Sequence, residues 1–112
     1  QTLLLIYDVK EAIAHAHRIL KPGGVLLVTI PGITQMDYKA LGNIWYWSFS
    51  EASATKLFQE VFSPDKINVG KHGNVLIASS LLYGISAKEL TKEELDYTDP
   101  DYQVIITIRA VK

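Results

Sequence analysis

Leu20-Lys21-Pro22-Gly23-Gly24, followed by Val25-Leu26-Leu27-Val28-Thr29-Ile30, constrains the fold more than any other stretch of the chain. Pro22 has no amide to donate and its ring clashes with the preceding turn, so a helix arriving through Leu20 must stop. The two glycines permit a reversal that a side chain would obstruct. The run that follows is almost continuously apolar, which predicts a central strand covered on both faces, as in a parallel α/β sheet. Pro31-Gly32 stops that strand. A helix therefore turns sharply into a buried strand, the local unit of an α/β architecture.

The rest of the chain repeats the alternation. Asp8 with Glu11 three residues on has the form of a capping box. Val9, Ala12, Ile13, Ala16, Ile19 and Leu20 then follow helical spacing and predict one buried stripe. Gln1-Thr2-Leu3-Leu4-Leu5-Ile6 reads as the end of a strand; with no Met at its head, it suggests a piece of a longer protein. Ile33 to Phe49 shows no clean period, and aromatics crowd its end at Trp45, Tyr46, Trp47 and Phe49. Ser50 caps a second helix with Ala54, Leu57, Phe58, Val61 and Phe62 on its buried face. Ile67 and Val69 alternate with polar neighbours, as a short strand would.

After a loop from Gly70 to Gly73, Asn74 caps a third helix to about Tyr83. That helix is apolar nearly all round, which predicts packing on more than one neighbour. Ser86 with Glu89, and Thr91 with Glu94, predict short helical turns. Thr98-Asp99-Pro100-Asp101 reads as a turn. The last strand, Tyr102 to Val111, puts Val104, Ile106, Ile108 and Ala110 on one face and Gln103, Thr107 and Arg109 on the other. Its mixed second face predicts antiparallel pairing and partial exposure.

Composition removes several classes of function. At 112 residues the chain is a single domain at most. Eleven basic against twelve acidic side chains give no bulk attraction to nucleic acid or to anionic membranes. The acidic excess lies between Glu89 and Asp101 and predicts a solvated loop. No cysteine is present, so neither a disulfide framework nor a cysteine metal site forms; this fits a reducing, cytoplasmic compartment. No apolar run approaches the ~20 residues of a spanning helix. His15 and His17 stand two apart on a helix and face different sides, so they do not make a two-histidine metal site. No metal-ligand spacing, nucleophile elbow or phosphate loop is found.

The ordered set of motifs resembles the C-terminal half of a bacterial class I S-adenosylmethionine-dependent methyltransferase. The residues that carry the likeness are Lys21-Pro22-Gly23-Gly24, Tyr46-Trp47-Ser48-Phe49-Ser50, Gly73-Asn74-Val75 and Asp99-Pro100-Asp101-Tyr102, and the likeness spans all 112 residues. It implies an incomplete Rossmann-like α/β sheet with helices packed on it. Val25 to Ile30 would be the fifth strand, Ile67 to Val69 the sixth, and Tyr102 to Val111 a final antiparallel strand inserted between them. The Gly-x-Gly-x-Gly turn and the acidic residue for the ribose hydroxyls, which normally hold the donor, do not occur in this sequence.

The resemblance also implies a reaction and places for its parts. Methyl transfer is an in-line displacement, so the protein's main tasks are orientation and desolvation. Gln1, Thr2, Leu3 and Leu4 resemble the segment that passes the donor's methionine part, with Leu4 where many relatives have a histidine. Pro31 and Gly32 lie after the fifth strand, on the edge where open α/β sheets bind ligands. Tyr38, Trp45 and Tyr46 would wall a small-molecule acceptor, such as a saccharide or an aromatic compound. His72 and Asp37 are the candidate acid-base groups, with no assigned catalytic residue beyond them. The expected whole is a fragment, inactive alone and self-associating through an exposed sheet edge or apolar face. Two other readings stand beside it: a non-catalytic methyltransferase-like binding module, and part of a nicotinamide-dependent oxidoreductase. The second lacks a Tyr-x-x-x-Lys pair on a helix.

Overall fold

Ile106, Ile108 and Ala110 are buried while Arg109 is exposed, so the last strand presents one face to a core, as its alternation predicts, although it begins at Ile105 and not at Tyr102. The computed structural model describes residues 1–112. Its sheet has three strands, β1 (Val25–Pro31), β2 (Ile67–His72) and β3 (Ile105–Val111), in the order β1-β3-β2. β3 runs antiparallel to both neighbours, with Val28 opposite Ile108 on one side and Val69 opposite Ile108 on the other. β1 and β2 thus share a direction without touching. The fold is mixed α/β on an antiparallel sheet, not the parallel neighbours that the apolar run of β1 suggests.

Five helices accompany the sheet: α1 (Val9–Ile19), α2 (Tyr38–Leu41), α3 (Glu51–Gln59), α4 (Val75–Tyr83) and α5 (Lys92–Asp96). Val9 and Ile13 of α1, Ala54 and Phe58 of α3, and Phe62 form one cluster with Ile30, Ile106, Ile108 and Ala110. The Phe58 and Phe62 rings lie 6.1 Å apart. None of the helices is long and apolar enough to cross a membrane.

The caps follow the sequence closely. Asp8 accepts from the Glu11 amide, Ser50 from Ser53, Asn74 from Ile77 and Thr91 from Glu94. The reciprocal half of the first box is not made, because the Glu11 carboxylate pairs with His15 at 2.8 Å instead. Glu94 does complete its box. Hydrogen bonds from the Thr91 amide and hydroxyl hold its carboxyl below the usual glutamate range.

Four expectations need correction. Gln1 to Ile6 holds no strand: Leu3–Leu5 is a single 3-10 turn. β1 is covered on one face only. Leu26, Val28 and Ile30 turn toward the helices, whereas Leu27 is 72% exposed, because α1 and α3 pack on the same side of the sheet. β2 is longer than the two apolar positions suggest. It continues through His72, since β3 offers hydrogen-bonding partners along its whole length. α4 is not enclosed by neighbours: Val75, Leu76, Leu82 and Tyr83 are exposed.

Burial assigns different weights to residues of the same type. Ile106→Ala is expected to cost about 3 kcal/mol, as its side chain is fully enclosed. Leu27→Ala is expected to cost less than about 0.5 kcal/mol. Urea denaturation of the two variants checks the ranking, and a cost at Leu27 equal to that at Ile106 would mean that the second sheet face is covered.

Candidate functional site

The largest depression, about 580 Å3, lies where the start of α1, the aromatic segment and α3 meet. Tyr7, Asp8, Val9 and Lys10 form one side, Trp47, Ser48 and Phe49 the second, and Ser53, Lys56 and Leu57 the third. Its size suits a small organic molecule.

Each wall is fixed for a local reason. The Trp47 indole Nε1–H donates to the carbonyls of Ile6 at 2.9 Å and Tyr7 at 3.2 Å. The amides of Tyr46 and Trp47 both donate to the Leu4 carbonyl. Tyr7 stacks on Trp47 at 6.3 Å and meets Tyr46 edge-on at 5.3 Å. Phe49 is a core residue, and Ser50 immediately starts α3. The α3 N-terminus is held in turn by Gln103, whose Oε1 accepts from the Glu51 amide at 2.8 Å. The Glu51 carboxylate pairs with Lys71 of β2 at 2.7 Å.

A second, shallower notch of about 210 Å3 opens at the end of β1, lined by Gly32, Ile33, Phe49, Ser50, Asp101 and Gln103. Gly32 is obligatory there, since a Cβ would stand 2.0 Å from the Gln103 carbonyl oxygen. Its amide donates to Val104, extending the β1–β3 ladder past Pro31. Phe49 is common to both depressions.

The residues singled out from sequence are distributed unevenly around this site. Trp47, the centre of the aromatic motif, lines the cleft. Tyr46 is half-exposed and braces Tyr7. Trp45 packs partly buried against the core. Pro31 is buried at the end of β1, and Gly32 forms the notch. Tyr38 is 80% exposed and lines neither depression. Asp37 caps α2, its Oδ1 accepting from the Ala40 amide at 3.0 Å. His72 ends β2 with Nε2 3.2 Å from Thr107 Oγ1, across the sheet from the cleft and not in a loop. Neither depression contains Asp37 or His72.

Gln1 and Thr2 are exposed, Leu3 is half-buried, and Leu4 is 3% exposed inside the core. Leu4 turns its side chain inward and its carbonyl is already taken by two amides. Neither depression has a glycine-rich turn, and the acidic residues lining them are Asp8, spent on the α1 cap, and Asp101. No three His, Asp or Glu side chains converge as a metal site would require.

Two contributors escape a reading of the sequence. Tyr7 precedes a helix cap, and Lys56 sits among the polar positions of α3. Only the packing of α1 beside α3 makes them neighbours. Comparison with protein-family models, with curated proteins and with solved structures gives no match.

The Trp47 indole ties the aromatic segment to the chain preceding α1. Trp47→Phe keeps most of the ring but removes the donor shared by two carbonyls. A loss of about 1 kcal/mol in denaturant unfolding is expected. Unchanged stability would show that the segment is held by packing alone.

Proposed function

We propose that this chain is the acceptor-side, C-terminal half of a class I S-adenosylmethionine-dependent methyltransferase, and that the cleft beside Trp47 holds the small-molecule acceptor. The observation that carries the reading is the strand order. A last strand lies antiparallel between two strands of common direction, in the arrangement that the motif resemblance implies. A helix, a Pro-Gly-Gly turn and a strand precede it in the matching order. A cytoplasmic location fits the absence of cysteine.

This half contributes orientation and desolvation. Trp47, Tyr7, Val9 and Leu57 offer a flat apolar wall that would exclude water from one side of an acceptor. A non-catalytic binding module is the second reading, and it draws on one observation: neither depression is lined by a glycine-rich turn.

The two readings part at the coding sequence immediately upstream of the codon for Gln1. The methyltransferase reading expects a strand, a Gly-x-Gly-x-Gly turn and then an acidic residue. The longer polypeptide should transfer a labelled methyl group, and the 112-residue chain should give no heat with S-adenosylmethionine in calorimetry. A start codon directly before Gln1, or tight donor binding by the chain alone, would overturn it.

Self-association of the isolated chain belongs to the same reading. Val25 and Leu27 on the open sheet face, and Leu82 and Tyr83 on α4, remain in water. β1 and β2 each have one edge without a strand partner. Light scattering should show a mass that rises with concentration; a constant monomer mass up to high concentration would remove this part of the proposal.

A further inference from the structure

The polar groups of the large cleft are nearly all committed within the chain, and the exceptions define what it attracts. The Asp8 carboxylate accepts from the Glu11 amide at 3.1 Å as the α1 cap. Lys10 is neutralised by Glu60 at 2.8 Å. The Ser53 hydroxyl donates to the Ser50 carbonyl and accepts from the Ser50 amide, closing the α3 capping box. Lys56 has no carboxylate within ion-pair distance and makes no hydrogen bond, and the Ser48 hydroxyl also has no partner. The remaining lining is the apolar set Tyr7, Val9, Trp47, Phe49 and Leu57. One unneutralised cation and one free hydroxyl therefore stand beside a stacked aromatic wall.

We infer that the cleft takes an aromatic small molecule bearing a single carboxylate, its ring system on Trp47 and Tyr7 and its anion on Lys56. A neutral sugar would leave the Lys56 ammonium in water and gain nothing from it, and a polyanion would meet Asp8 after using the one free cation. A flat ring matches walls that are themselves flat, since Tyr7 and Trp47 are inclined by only 30° to each other. Lys56 is itself exposed, so the ion pair adds a preference of a few-fold to the contacts made by the ring. This deepens the methyltransferase reading by naming an acceptor class and rests on that reading only for calling the ligand an acceptor.

The test is a nuclear magnetic resonance titration of the full 112-residue chain with indole-3-acetate, and separately with indole-3-acetamide, its uncharged counterpart. The acid is expected to move the resonances of Ser48, Lys56, Leu57 and the Trp47 indole, and to bind about threefold more tightly than the amide. Lys56→Gln should erase that preference while leaving amide binding unchanged, and Lys56→Arg should retain it. Equal affinity for acid and amide would overturn the inference. So would a preference that survives Lys56→Gln, shifts confined to α4 or to the open sheet face, or no shift at millimolar ligand. Binding that meets the expectation, with no methyltransferase half encoded upstream, would leave the aromatic-acid site standing and remove only its role as an acceptor site.

Discussion

Every sheet hydrogen bond of this fold runs to β3, the strand that the chain supplies last. β1 and β2 never meet; each pairs with one edge of Ile105–Val111. The core is built on the same strand, since Ile106, Ile108 and Ala110 lie under Ile13, Ala54 and Phe58. Even the end of α1 depends on it. The Lys112 ammonium donates to the Arg18 and Leu20 carbonyls, at the helix end where a cation is favoured. Contacts of such long sequence separation exact their loop-closure entropy before any of them stabilises the chain. β3 is rich in the β-branched residues that suit a pleated strand, and its one charge, Arg109, lies on the uncovered face.

The motifs that carry the family resemblance are structural latches. In Tyr46-Trp47-Ser48-Phe49-Ser50, the indole holds the preceding carbonyls, Phe49 enters the core and Ser50 caps α3. In Gly73-Asn74-Val75, the glycine sits at φ +123°, and a Cβ would come 2.5 Å from the Val104 side chain. Asn74 is buried and fully used: Oδ1 caps α4, while Nδ2 donates to the Glu94 and Tyr97 carbonyls. In Asp99-Pro100-Asp101-Tyr102, the Asp99 side chain and carbonyl accept from Asp101 and Tyr102 and close the turn. Motifs of this kind speak to how a chain folds. They carry no reacting group, so a likeness built on them bears on architecture more directly than on chemistry.

That division marks what was legible in the sequence. The caps of α1, α3, α4 and α5 were readable because a cap is a local bargain between a side chain and an amide three residues away. The buried face of β3 was readable from its period of two. What failed depended on partners. The apolar run of β1 states that Leu27 is able to be buried, but only the common side taken by α1 and α3 determines that it is not. The all-apolar α4 carries the same ambiguity. The length of β2 was hidden because Gly70, Lys71 and His72 have no strand signature and are held by pairing with Thr107, Ile106 and Ile105. Of the cleft, sequence showed the aromatic segment but not Tyr7 or Lys56, which come from elements far apart in the chain.

Rigidity separates the cleft from the other places where an aromatic side chain meets water. Trp47 is hydrogen-bonded on its polar atom, Phe49 is locked in the core, and α3 is tied to the sheet through Gln103 and Lys71. A ligand entering between them orders little that is not already ordered, so its contacts are not offset by a large entropic cost. Tyr38 and Tyr83 stand at the opposite extreme, exposed on short or uncovered helices with no ring neighbour among the aromatic contacts. Surface area alone would rank those residues highest for binding. Preorganisation reverses the order, because the half-exposed Trp47 presents a face whose position the fold has already fixed.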